Sequence, residues 1–127
     1  MFIRNLDGCP EFTAGDNCRL RELLHPDKTA LELRYSLAHA VVAPGQTTWP
    51  HALRTSEVYY ILRGEGQMHI DGETAPVRPG DAVYIPPQAK QQITNTGTAD
   101  LVFLCIVDPA WRKEDEVVIP CNGKKEK

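Results

Sequence analysis

The chain has 127 residues, 42% of them hydrophobic, which suits one folded domain with one core and leaves no room for two. Fourteen Lys and Arg against seventeen Asp and Glu give a formal charge of −3, so the basic face that broad nucleic-acid binding requires is missing. No stretch approaches the roughly 18 apolar residues of a membrane-spanning helix, and the first twenty residues contain no apolar run of the kind found in a secretory leader.

These exclusions predict a cytoplasmic protein whose partner is a small molecule, with neither nucleic acid nor membrane as a target. The basic cluster at Lys124, Lys125 and Lys127 reads as a solvated terminus. Of the four cysteines, Cys105 lies within the apolar run "LVFLCIV" and reads as a small buried hydrophobe. Cys9, Cys18 and Cys121 form no C-x-x-C pair, which argues against a structural zinc knuckle and for free thiols in a reducing compartment.

In chain order, residues 1–30 read as an irregular segment with one or two edge strands. Arg19–Leu24 and Arg112–Val117 are candidates for short helices. "LELRYSLAHAVV" (31–42) predicts a strand ended by Pro44-Gly45, and "SEVYYILRG" predicts another ended by Gly64. "GQMHIDG" predicts a third. Its Asp71-Gly72 is a hairpin signal, because both residues tolerate positive φ. "ETAPVRPGD" runs into a Pro79-Gly80 turn, "DAVYIPP" and "KQQITN" follow, and "ADLVFLCIVDP" closes the series at Asp108-Pro109. Val83 and Ile85 share one face, opposite Tyr84, while "VFLCIV" is apolar on both faces, as a strand covered on both sides requires. A succession of short strands with frequent turns predicts an all-β sandwich or barrel. The expected division is residues 1–30, a barrel over 31–110, and a charged extension with a loose tail over 111–127.

Two spacings narrow the choice. Gly45, His51, Leu53, Glu57 and Gly64 follow G-x5-H-x-L-x3-E-x6-G, and Gly80, Pro86, Gln88, Gln91 and Asn95 follow G-x5-P-x-Q-x2-Q-x3-N. The pair resembles the two signature motifs of the cupin family, G-x5-H-x-H-x3,4-E-x6-G and G-x5-P-x-G-x2-H-x3-N. Leu53 stands for the second His of the first motif. Gln88 and Gln91 stand for the Gly and His of the second. The resemblance implies a small single-domain cupin: a double-stranded β-helix, or jelly-roll barrel, with a pocket inside.

It also implies a site. In the family the two His and the Glu of the first motif meet the His of the second on one divalent metal. Here that leaves His51, Glu57 and Gln91 as the candidate set, for Zn, Fe, Mn, Ni or Cu. Imidazole and carboxylate suit such ions; a neutral amide is a weaker donor, and Leu53 is none. Leu53, Tyr59, His39 and His69 are the further candidates for the pocket lining. His51 and Glu57 also have a metal-free reading, as polar partners in a half-apolar pocket. Three function classes follow, with a purely structural or interaction role behind them should the barrel interior be filled with side chains. One is a metallo-cupin that binds or transforms a small organic ligand, as an oxygenase or isomerase. Another is a metal-free binding or sensing module, and the third is metal-free sugar isomerisation or epimerisation with His51 as base. The resemblance further implies a homodimer paired through sheets. Trp111, isolated among charges, could cover the barrel mouth or pack on a partner subunit; packing against the outside of the barrel is the preferred reading.

Overall fold

A computed structural model describes residues 1–119. Eleven strands run β1 (Phe12–Thr13), β2 (Arg19–Leu24), β3 (Ser36–Val42), β4 (His51–Leu53), β5 (Ser56–Arg63), β6 (Gly66–Ile70), β7 (Glu73–Val77), β8 (Ala82–Ile85), β9 (Gln91–Asn95), β10 (Leu101–Asp108) and β11 (Glu116–Val118). They form two antiparallel sheets, ordered β1-β2-β3-β10-β5-β8 and β11-β4-β9-β6-β7. This is the all-β jelly roll that the family resemblance implied.

Alternation explains the layers. In β3, Ser36, Ala38, Ala40 and Val42 are buried, and Leu37, His39 and Val41 face the other way. β10 carries Phe103, Cys105 and Val107 inward; on its outer face Val102 is buried but Leu104 and Ile106 are only half-buried, so the strand is not covered on both faces as expected. Phe103, Ile61, Ile93, Leu101 and Ile85 are almost wholly buried between the sheets. Each such side chain contributes about 1.5–3 kcal/mol by leaving water.

The turns follow their residues. Asp71 (φ 48°) and Gly72 (φ 87°) join β6 to β7 in left-handed conformations, as the hairpin signal predicts. At Gly64 (φ 89°) a Cβ would lie 2.5 Å from the Asp100 carbonyl oxygen, so only glycine fits the reversal between β5 and β6. Asn95 does more than close a turn. Its amide donates to the Val42 and Ala99 carbonyls and its Oδ1 accepts from Gly97 N–H, tying three segments together.

Three expectations are corrected. Arg19–Leu24 is a strand, because its backbone finds a partner in β3, from Arg19↔Val41 to Leu24↔Leu37. Arg112–Val117 is a 3-10 turn at Lys113–Asp115 leading into β11, which pairs with β4. The strand expected from Leu31 begins only at Ser36. Pro109 has no N–H to extend the ladder beyond Asp108, and Arg34 instead accepts from Ala110 N–H through its carbonyl.

The segment after β2 is joined to the segment after β10. Nδ1 of buried His25 accepts the Asp27 N–H, so its Nε2 carries the proton it donates to the Trp111 carbonyl at 2.7 Å. Arg112 pairs with Asp27 beside it. Together these segments wall one end of the barrel. Cys121, Lys124, Lys125 and Lys127 lie outside the described residues.

Candidate functional site

Between the sheets, at the end walled by the chain termini, lies a cavity of about 630 Å³. Leu53, Ala38, Phe103 and Val107 give it an apolar wall, and Phe12, Trp49 and Trp111 border it with aromatic rings. Asp16, His51, Glu57, Tyr59 and Glu116 supply its polar groups. Mostly apolar concavities with a few convergent polar atoms are how proteins hold small molecules.

The strands bring the motif residues together. β4 lies beside β9 in the register His51↔Gln91, and Glu57 projects from β5 in the opposite sheet. The Gln91 amide donates to Glu57 Oε1 at 3.0 Å and accepts from the Tyr59 hydroxyl at 2.9 Å. This chain of three side chains bridges the two sheets. All three are at least nine-tenths buried, so a missing link would leave a polar atom with neither water nor protein.

Burial pushes the Glu57 carboxyl up from its ordinary 4.5 to about 8; the Gln91 amide pulls against the rise, while Asp16 and Glu116 add to it. Near neutral pH the group therefore carries a proton, placed on Oε2 because Oε1 accepts from Gln91. Burial likewise raises Tyr59, Cys18 and Cys105, which stay uncharged. Cys9, Cys18 and Cys105 are free and buried, and two of them, Cys18 and Cys105, line the cavity.

His51 is 4% exposed. Its Nδ1 lies 3.0 Å from the Trp49 carbonyl, which can only accept, so Nδ1 carries a proton. Its Nε2 then faces the cavity, 3.6 Å from Asp16 Oδ2. Asp16 is held in turn by the Cys18 N–H on its other oxygen. Glu116 stands nearby on β11, raised by burial and by Asp16, and pulled down by His51 and the Trp111 indole.

Asp16, Glu116 and Trp49 were not singled out from the sequence as site residues. The two acids sit outside the motifs, on segments that reach the cavity only through tertiary pairing. A polar residue within "TAGDNC" gives no sign that its turn folds over a barrel end. Trp111, expected outside, lines the cavity instead, because His25 and Ser36 anchor its backbone at the rim. Leu53 and Tyr59 line the cavity. His39 and His69 do not. His39 alternates out of phase with the inward Ala38 and Ala40, and His69 sits beside inward Met68 with both ring nitrogens within 3.1 Å of Thr74 and Thr94 hydroxyls on the outer face.

A divalent metal is what the family pattern implies here, and the donor set does not fit one. Leu53 fills the second His position and is 3% exposed. Gln91 uses both ends of its amide within the protein. Among the described residues, no three His, Cys, Asp or Glu side chains converge as metal ligands.

A single jelly roll with a ligand-sized cavity, opening at the end built from the chain termini, defines the class of protein. The Cupin domain family profile matches residues 38–107, and the chain belongs to the cupin family. An uncharacterized protein of Methanocaldococcus jannaschii is 39% identical over 89% of this chain and 90% of its own length. An oxalate-binding protein of Thermotoga maritima is 41% identical over 40% of this chain. A glucose-6-phosphate isomerase of Pyrococcus horikoshii is 33% identical over 66% of it. In each of these last two the match spans 42% of the relative's length. A nucleoside dehydratase of Streptomyces shares the fold with a TM-score of 0.76 at 17% identity, over 94% of this chain and 91% of its own.

Proposed function

We propose that this cupin binds a small organic molecule inside the barrel, without a metal, at the floor formed by His51, Glu57 and Asp16. The observation that carries this reading is a pair of polar atoms in an otherwise apolar cavity. Among the described residues, Glu57 Oε2 and His51 Nε2 have no protein hydrogen-bond partner, yet both side chains are more than nine-tenths buried and line the open space. Polar atoms that open on a cavity are completed by water or by a ligand, and a ligand with matching groups would take the place of the water. The oxalate-binding relative supports the use of this kind of barrel as a small-molecule container.

The test is a thermal-shift screen against sugars, polyols, amines and small carboxylates. Hits should raise the melting temperature of the native protein and lose that effect in His51→Ala and Glu57→Ala. Hits whose shifts persist in both variants would remove the reading.

A second reading has its own support. His51 with Asp16 supplies the His–acid pair that metal-free isomerisation or epimerisation needs, and a glucose-6-phosphate isomerase is among the relatives. On that reading His51 Nε2 takes a proton from substrate carbon and Asp16 stabilises the charged ring. Solvent deuterium entering a bound sugar would support it, and unlabelled sugar after prolonged incubation would count against it.

We also propose that two copies pair through the outer face of the six-stranded sheet, where Tyr60, Leu62 and Tyr84 are exposed. Light scattering should give twice the chain mass, and Tyr84→Lys should reduce it.

A further inference from the structure

We propose that the cavity floor takes the charged head of an organic cation, a protonated amine, with the apolar body of that molecule lying along the barrel wall. The inference rests on the reading of the barrel as a ligand site and adds the class of ligand.

The first argument is charge. Four acidic side chains line the cavity: Asp16, Glu22, Glu57 and Glu116. Two lysines face them. Lys28 is already paired with Glu22 at 2.6 Å, and both lysines are exposed, so they stand at the opening rather than the floor. The deep end therefore holds Asp16, Glu57 and Glu116 around one imidazole, with no Lys or Arg among the cavity-lining groups there. An anion entering this end meets carboxyl groups on several sides, and like charges in a site of low polarity repel strongly.

The second argument is the direction of the unmet hydrogen bonds. With Nδ1 protonated against Trp49, a neutral His51 presents a lone pair at Nε2. Asp16 Oδ2 presents another acceptor 3.6 Å away. Two acceptors side by side ask for one group that donates to both. An ammonium carries three N–H donors and no acceptor. Glu57 Oε2, the second oxygen here without a protein partner, opens on the same cavity. Asp16 raises both Glu57 and Glu116, as neighbouring acids do, and His51 is the one basic group that pulls against the rise at Glu116.

The third argument is the rim. Trp49, Trp111 and Phe12 border the space, and aromatic faces attract cations through their ring quadrupole. The wall formed by Leu53, Phe103 and Val107 suits a hydrocarbon body of a few carbons.

The experiment uses three probes with one ring and three charges: cyclohexylamine, cyclohexanol and cyclohexanecarboxylate. Each is titrated calorimetrically into the native protein at neutral pH. The amine should bind at least about tenfold more tightly than the alcohol, the worth of one charge-assisted hydrogen bond, and the carboxylate more weakly still. Asp16→Asn and Glu116→Gln should each weaken the amine about tenfold and the alcohol by clearly less. Should Asp16→Asn fail to fold, Glu116→Gln on the partly exposed edge strand keeps the test open. Equal or tighter binding of the alcohol or carboxylate would overturn the inference, as would amine binding untouched by whichever variants fold. A shift given by manganese but not by the amine would also overturn it. If no ring probe binds while sugars or polyols still respond to His51→Ala, the cation is wrong and the barrel site stands.

Discussion

The two ends of the barrel interior obey the same alternation and end differently. At the sealed end Ile61, Ile93 and Leu101 pack between the sheets and are wholly buried. At the other end the inward positions carry His51, Glu57 and Tyr59, and the space between the sheets stays open as a cavity of about 630 Å³. The sealed end is closed by apolar volume. The open end is held by directed bonds: Glu57 to Gln91 to Tyr59 across the sheets, and His25 to Trp111 between the segments after β2 and β10. Apolar volume stabilises a core and excludes ligand. A hydrogen-bonded frame keeps walls apart at some cost in stability, because its carboxyl must leave water.

Four substitutions probe that contrast, in descending order of expected effect. Phe103→Ala deletes the largest of the fully buried side chains and the ring packed 4.4 Å from Tyr59. It should cost about 3–5 kcal/mol by chemical denaturation; a loss below about 1 kcal/mol would mean that apolar volume between the sheets is not what stabilises the barrel.

Glu57→Gln acts on the frame through pH. The folded carboxyl is raised from 4.5 to about 8. Its contribution is therefore complete below about pH 4.5 and is lost as the pH climbs through about 8. For the native protein this term removes of the order of 4–5 kcal/mol across that window. Glutamine keeps the acceptor for Gln91 and has nothing to ionise, so the variant should show a flatter stability profile and exceed the native protein above pH 8. Parallel profiles for the two proteins would refute the burial argument.

Tyr59→Phe removes the donor to Gln91 Oε1 in a buried setting. About 1–3 kcal/mol should be lost, less than at Phe103, with the melting curve still cooperative.

Gln88→Gly is the smallest and has the opposite sign. Gln88 sits at φ 71°, a left-handed conformation that costs a residue with a Cβ and that glycine adopts freely. A gain of about 0.5 kcal/mol is expected, since the chain bond from Gln88 N–H to the Leu53 carbonyl at 2.7 Å remains. No gain would show that the glutamine side chain offsets its own strain.

Gln88 also illustrates what the sequence made legible. The spacing of both motifs survives, so the fold and the approach of positions 51, 57 and 91 could be read from one chain. The departures at 53, 88 and 91 could be read too, though what the replacements do could not. That Gln91 spans Glu57 and Tyr59 depends on distances between sheets. Local pattern failed where tertiary pairing decides. "RLREL" fits a helix turn as well as a strand until β3 supplies its partner. His39 and His69 lie in correctly expected strands, and only the inward phase set by Ala38, Ala40 and Met68 shows that they face out. The acids at 16 and 116 gave no local signal, because their place at the cavity comes from the folding of both termini over one barrel end.

The most direct test of the central claim is a crystal structure of the native protein with the strongest hit from the ligand screen. The account predicts ligand density inside the barrel, with polar atoms within hydrogen-bonding distance of His51 Nε2 and Glu57 Oε2. A ligand bound on the outer sheet face, with the barrel holding only ordered water around those atoms, would contradict it.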